Sequence, residues 1–398
     1  MVVDAGGPPL LLLPSKYTSY FLHNYLHLTR EIALRPLAQW RIIGDIMASN
    51  PPLIFVHGIK GCELIGSNGV KKWLRIRDML YNKDTGMSLP ISWNGGIQSN
   101  NGAQSGKPIS SLAGKSIYGK FLNGLKKKSW KIHSFTYDWR RSQEEAADLL
   151  VTFIENITNE QGTPLIITHS NGGIVTELAL RKEASPEIHG VLHCGVPFGD
   201  GVSFLPDMTG GERILRNRTI IDQGVHFTWT APWTYFPLTG HSRLYDKNGA
   251  ELEHNWYDSN SWMTNGLGLF SSETTLSEQH MRHLDQALLT AQRIRQIIES
   301  KWPVSKEIPP TGILRSSKHQ TPCSYKQSDS DKWCIDEPKV EPGDGRILFD
   351  SAKPLYDVDV EFETSLNHGS LLNDTDLIER ALIELFNLSI KRNGLPST

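Results

Sequence analysis

The apolar positions of this chain follow two alternating patterns. Short, nearly continuous apolar runs occur at Leu53-Ile54-Phe55-Val56, Trp130 to Tyr137, Leu165-Ile166-Ile167 and Ile188 to Cys194. Runs of this length are expected of strands buried on both faces. Between them, apolar residues recur every third or fourth position. Leu149, Leu150, Phe153, Ile154 and Ile157 share one face over 144–157, and Ile174, Val175, Leu178 and Leu180 follow over 173–182. That spacing predicts helices. The alternation predicts the α/β class: a mostly parallel central sheet with helices on both faces.

From Gly199 to about residue 275 the rhythm breaks, and glycine, proline and tryptophan become frequent. This stretch reads as an insertion, a cap or lid over one end of the sheet. Its aromatic residues Trp229, Trp233, Tyr235 and Phe236 suit the wall of an apolar groove; the alternative is a small core of their own. Periodicity returns over Ser277–Trp302, where Leu284, Leu288, Ala291, Ile294 and Ile298 predict one long amphipathic helix. A strand is expected around Ile313-Leu314, a polar loop over Ser316–Pro342, a strand over Val358–Phe362 and a closing helix over Leu372–Ile390. The organisation is thus an extension (1–50), a core in two parts (51–198 and 276–398) and the insertion (199–275).

Composition narrows the picture. The chain has 398 residues and a net charge of -2, from 41 basic and 43 acidic side chains, so bulk charge does not favour nucleic acid as a partner. Mean hydropathy is -0.34 and 21% of residues are charged, which excludes a largely disordered or membrane-spanning chain. The run Pro9 to Pro14 is short for a membrane helix and has no basic region before it. It is not expected to be a signal peptide, which favours a cytoplasmic or peripheral-membrane location over a secreted or lysosomal one. The aromatic piece Tyr20–Leu26 is expected to pack as a helix or to touch a membrane. No Cys-x-x-Cys pair exists; Cys323 and Cys334 either close a small disulfide loop or remain free thiols. Glycosylation triplets begin at Asn156, Asn217, Asn373 and Asn387, a weak signal by itself.

The candidate chemistry begins at Ser170. It follows a buried apolar run directly and precedes a helical pattern, in the context Thr168-His169-Ser170-Asn171-Gly172-Gly173. A serine nucleophile needs a sharp strand-to-helix turn that exposes its oxygen beside a free backbone N–H, and small neighbours let the turn close. Gly172 meets that need downstream; Thr168 stands where a glycine is usual. The serine also needs a base, and the base an orienting carboxylate, in the chain order Ser, acid, His. His368 is the downstream histidine that lies between the last strand and the closing helix, with Gly369 beside it. Asp344, flanked by Gly343 and Gly345, is the candidate acid; Asp350 and Asp357 compete. Oxyanion donors are expected at the N–H of Asn171, after the serine, and of Ile59, in the loop His57-Gly58-Ile59-Lys60-Gly61. His283 lies inside a helical pattern and is expected to pack or to face water.

Several of these segments resemble the lecithin:cholesterol acyltransferase-like α/β-hydrolases, a family that includes lysosomal phospholipase-type enzymes. His57 to Leu64 resembles the family's oxyanion loop, Tyr137-Asp138-Trp139-Arg140 its Tyr-Asp-Trp-Arg segment, and Thr168 to Gly173 its nucleophile elbow. Gly343-Asp344-Gly345 resembles the acid loop and His368-Gly369 the histidine segment. Asp138 and Arg140 are expected to form a structural pair. The chain departs from the family after Gly345, where Arg346-Ile347-Leu348 replaces the usual Thr-Val-Pro.

The resemblance implies the α/β-hydrolase fold and a serine hydrolase that cleaves carboxylic esters of lipids, phospholipid or acylglycerol, through an acyl-serine. Transfer of the acyl group to an alcohol is the other outcome of the same intermediate. The chemistry calls for no metal or organic cofactor, and a lipid-ester substrate implies transient contact with a lipid surface. An esterase for small esters and an inactive scaffold of the same fold are the alternatives.

Overall fold

The structure is a computed structural model that describes residues 50–81, 83–238, 241–272 and 276–394. The chain divides at Asn50/Pro51 into two units, and the second carries everything described below. The expectations for residues 1–49, including Tyr20–Leu26, lie outside the described residues.

Six strands make the central sheet: β1 (Leu53–Val56), β2 (Ile132–Phe135), β3 (Leu165–His169), β4 (Gly190–Cys194), β5 (Thr311–Arg315) and β6 (Val360–Glu363). They lie in the order β6-β5-β4-β3-β1-β2, and every pair is parallel. β1, β3 and β4 are buried at every position, which is why they read as unbroken apolar runs. Successive side chains still divide between two cores. Ile54, Val56, Ile166 and Val191 face one side, and Leu53, Phe55, Leu165, Ile167 and Leu192 the other.

Helices α2 (Gln143–Gln161), α3 (Asn171–Arg181) and α4 (Glu278–Ile298) cover the first side, through Leu150, Ile154, Ile174, Leu178, Leu284 and Leu288. Helices α1 (Gly119–Lys127) and α5 (Thr375–Arg392) cover the second, through Phe121, Leu125, Ile378, Leu382 and Leu385. Three of these helices begin at a side-chain cap: Ser142, Ser277 and Asp374 accept from the amides of Glu144, His280 and Leu377.

The stretch 199–272 contains only short elements, among them a helix at Leu205–Gly210 and an antiparallel pair, Glu212–Ile214 with Asn217–Ile221. One expectation fails in the second half of the chain. Ser316–Pro342 is not a loop throughout: His319–Lys326 and Lys339–Gly343 pair antiparallel. The second of these strands is exposed at four of its five positions, so no apolar alternation marks it. The hairpin ends at Gly343, directly before Asp344.

Cys323 and Cys334 are free thiols, and the Cys323 thiol donates to the Lys339 carbonyl at 3.3 Å. Asn217 is fully buried, and its amide donates to the carbonyls of Asp78, Tyr81 and Lys83. It therefore holds chain together and cannot accept a glycan in this fold.

Candidate active site

β3 ends at His169, and α3 starts at Asn171. One residue is left to turn the chain. Ser170 makes the turn at φ 53° and ψ -127°, a backbone region that costs a non-glycine residue of the order of 1–3 kcal/mol. The surroundings hold it there. The Ser170 amide donates to the Cys194 carbonyl at 3.0 Å, and Gly173 N–H closes the turn on the Ser170 carbonyl at 2.9 Å. Gly172 is required by close approach: a Cβ on it would lie 2.3 Å from the Val56 carbonyl oxygen.

Thr168 is paired with Val56 itself on β1, and with His193 on β4. Its hydroxyl lies 3.0 Å from His193 Nδ1, and His193 Nε2 lies 3.2 Å from Glu177 Oε1. Glu177 is buried and also pairs with Arg181 at 3.0 Å. Threonine at this position thus has a polar partner behind the turn, which a glycine would leave exposed to an apolar surround.

The loop after β6 brings His368 to the serine. His368 Nε2 is 3.1 Å from Ser170 Oγ, and His368 Nδ1 is 2.7 Å from Asp344 Oδ2. The His368 amide also donates to the Asp344 carbonyl at 2.8 Å. The second carboxylate oxygen of Asp344 accepts from the amides of Arg346 and Ile347 at 2.9 and 2.7 Å. Burial alone would raise the Asp344 carboxyl. The charge and hydrogen bond of His368, with these two amides, outweigh it and hold the carboxyl below its usual range. The carboxylate is thus held by two backbone amides on one oxygen and by the His368 ring on the other. Asp350 and Asp357 are exposed, and neither pairs with His368.

The loop after β1 reaches Ser170 from the other side. A Cβ on Gly58 would lie 2.8 Å from Ser170 Cβ, so backbone there passes directly over the serine. The Tyr-Asp-Trp-Arg segment supports this loop. Tyr137 donates to the His57 carbonyl at 2.8 Å, and Trp139 Nε1 to the Cys62 carbonyl at 3.2 Å. The expected pair is present: Arg140 contacts both Asp138 oxygens, at 2.8 and 2.7 Å. The Asn171 side chain points away from the serine. It bridges Gln143 Nε2 at 2.8 Å and Tyr137 Oη at 3.0 Å, which leaves only its backbone N–H as a donor candidate toward Ser170. His283 is buried and packs, with Nε2 on the Phe227 carbonyl at 2.9 Å.

Ser170 and His368 open into a cavity of about 360 Å³. Its walls are mostly apolar: Ile59, Trp73, Leu74, Ile109, Leu112, Ile117, Phe204 and Ile214. Lys60, Glu212 and Arg346 add charge at the rim of the serine. Lys60 pairs with Glu212 at 2.5 Å, and Arg346 pairs with Asp207 while its guanidinium lies 3.9 Å over the Phe204 ring.

The aromatic residues expected to line this groove do not. Trp233 packs on Trp262 at 4.9 Å, Phe236 stacks on Trp256 at 4.5 Å and Trp229 meets Trp139 at 5.3 Å, so these rings are part of the core on the first side of the sheet. Tyr235 reaches the wall only at second hand, 4.5 Å behind Phe204. The residues that do line the cavity come largely from 59–117, where the sequence shows little periodicity. Among the described residues, no group of three or more His, Cys, Asp or Glu side chains could hold a metal ion, and no helix is long and apolar enough to cross a membrane.

No protein-family model matches the chain. Over 220 residues, 49% of its length, it is 23% identical to the uncharacterized protein YJR098C of Saccharomyces cerevisiae, and the match spans 32% of that protein. Among solved structures, a chain of the Tle4–Tli4 complex is similar at a TM-score of 0.53 and 12% identity, over 85% of this chain and 98% of that one. The mature lipase BlEst2 of Bacillus licheniformis aligns over 85% and 92% of the two chains, at a TM-score of 0.36 and 10% identity. The strand order, the helices on both faces and the first of these structural likenesses together give the chain the α/β-hydrolase architecture.

Proposed function

We propose that the chain is a serine hydrolase that cleaves carboxylic esters of lipids, phospholipid or acylglycerol, through an acyl-serine. The observation that carries this reading is the unbroken line from Ser170 Oγ to His368 at 3.1 Å and on to Asp344 at 2.7 Å, on the floor of an apolar cavity. The sequence segments carry the narrower likeness to the lecithin:cholesterol acyltransferase-like enzymes.

In this reading His368 Nε2 takes the proton of Ser170, and the oxygen attacks the ester carbonyl. Asp344 accepts from Nδ1–H and so keeps Nε2 free to act as base. The amides of Asn171, at the start of α3, and of Ile59, in the loop over the serine, stabilise the oxyanion. Each is worth roughly 3 kcal/mol of the barrier. His368 returns its proton to the departing alcohol. Water, or another alcohol, then attacks the acyl-serine with His368 again as base.

The apolar wall supports an acyl chain as the bound group. Exposed side chains next to that wall support delivery from a lipid surface: Ile76 is 72% exposed, Tyr81 71% and Leu215 44%, close in sequence to the wall residues Leu74 and Ile214. Arg216 N–H ties the two segments together on the Met79 carbonyl at 3.0 Å. The stretch 199–275 is the cap in this reading, since it supplies Phe204 and Ile214 to the wall.

A serine-directed fluorophosphonate tests the assignment. The wild-type protein should be labelled, and Ser170→Ala should not. A folded wild-type protein that resists labelling would overturn the reading. Products from phospholipid, acylglycerol and short-chain ester, with and without an added alcohol, then identify the substrate class and the acceptor.

A further inference from the structure

Two buried side chains outside the proposed triad join the three loops that meet at Ser170. Tyr118, at the start of α1, and His169, the last residue of β3, are 3% and 7% exposed. Gly58 N–H donates to Tyr118 Oη at 3.2 Å, Tyr118 Oη is 2.9 Å from His169 Nδ1, and His169 Nε2 is 3.0 Å from the carbonyl oxygen of His368. The chain of contacts thus runs from the loop over the serine, through the residue before the serine, to the backbone of the residue that faces it.

The direction of each bond follows from the donors. The Gly58 amide can only donate, so Tyr118 Oη accepts from it and has its own proton left to give. That proton goes to His169 Nδ1. Nε2 must then carry the ring hydrogen, and the His368 carbonyl is an acceptor placed to receive it. Every member is satisfied in one arrangement only. Burial favours the neutral forms that this arrangement needs: it pushes the Tyr118 phenol up and the His169 imidazole down to about 3.

The consequence is geometric. The His368 backbone is gripped from both sides, by its amide on the Asp344 carbonyl at 2.8 Å and by its carbonyl on His169. Its ring lies 4.8 Å from the His169 ring, centroid to centroid. A shift of the Gly58 loop therefore pulls on the same relay that holds the His368 backbone. We infer that Tyr118 and His169 are positioning residues that set the oxyanion loop and the histidine loop in register with each other across Ser170. They transfer no proton in the reaction. The inference rests on the serine-hydrolase reading above.

The test compares wild type, Tyr118→Phe, His169→Gln and His169→Ala, each well below its unfolding midpoint. Tyr118→Phe keeps the ring and the cavity wall and removes only the hydroxyl. Misplacing a reacting group by about an ångström costs up to about 100-fold in rate. We expect kcat for a soluble ester to fall roughly 10- to 100-fold while KM stays within about twofold, with a matching fall in the rate of fluorophosphonate labelling. His169→Gln places an amide that can still donate toward the His368 carbonyl, and it should retain more activity than His169→Ala. The inference is overturned if Tyr118→Phe keeps wild-type kcat and labelling, if only KM changes, or if His169→Gln and His169→Ala are equally impaired. Absence of labelling in folded wild type instead sinks the hydrolase reading on which it rests.

Discussion

At Thr168 a single hydroxyl explains a departure from pattern. A turn of this type normally has glycine two residues before the serine. Here the threonine hydroxyl is the partner of a fully buried histidine, His193, whose other nitrogen faces Glu177. Leaving a buried polar atom without a partner costs about 1–3 kcal/mol. Thr168→Val conserves shape and removes only the hydroxyl, so its stability should fall by about that amount while kcat is unchanged. Thermal unfolding and steady-state rates decide between roles. A variant of wild-type stability with reduced kcat would move the hydroxyl from support of the turn into the chemistry. Gly172 shows the opposite logic at the same turn: there a side chain has no space at all, because the Val56 carbonyl would sit 2.3 Å from its Cβ.

At the scale of elements, the short pieces of 205–221 are fastened to two loops beside the serine. Lys60, in the loop after β1, pairs with Glu212, and Arg346, in the acid loop, pairs with Asp207. Burial would raise the Glu212 carboxyl, but Lys60 and His226 hold it well below the usual range. Both members of the Lys60–Glu212 pair retain some solvent contact, at 21% and 16% exposure, so its worth is discounted to about 1–2 kcal/mol. Glu212→Gln should lower stability by that amount. It should also raise KM for a long-chain ester more than it lowers kcat, because Ile214, two residues on, is part of the cavity wall. An unchanged KM in a destabilised variant would show that this clamp serves the fold alone. β1, β3 and β4 are legible because burial on both faces forces continuous apolar runs. The exposed second strand of the hairpin, Lys339–Gly343, which leads into Asp344, has no such constraint, and its pattern is silent.

For the whole molecule, buried neutral histidines set the response to pH. Burial lowers His57 and His283 to about 4 and His169 to about 3, from an ordinary value of 6.5. The unfolded chain therefore takes up these protons first as the pH falls. Stability is fully present above about 6.5 and is lost progressively toward pH 4, each histidine adding a slope of up to about 1.4 kcal/mol per pH unit. Asp344, whose carboxyl is held low in the fold, adds a further loss below its ordinary value of 3.8. The unfolding midpoint should fall from pH 6.5 downward, before most carboxylates titrate. A flat profile from pH 7 to 4.5 would show that the histidines are not held neutral.

What the sequence determined by itself is local in character. Unbroken apolar runs, helical spacing and a serine between a strand and a helix specify the sheet, its covering helices and the turn at Ser170, because backbone sterics and two-sided burial act on neighbouring residues. The order of Ser170, Asp344 and His368 was also legible, since chain order survives folding. Tertiary structure decided what depends on distance across the chain. It set Asp344, and not Asp350 or Asp357, beside His368, with two amides on its other oxygen. It gave the cavity wall to Trp73, Leu74, Phe204 and Ile214 and sent Trp229, Trp233 and Phe236 into the core on the first side of the sheet. It also made Tyr118 and His169 neighbours of His368, a relation that only hydrogen bonds between distant segments can establish.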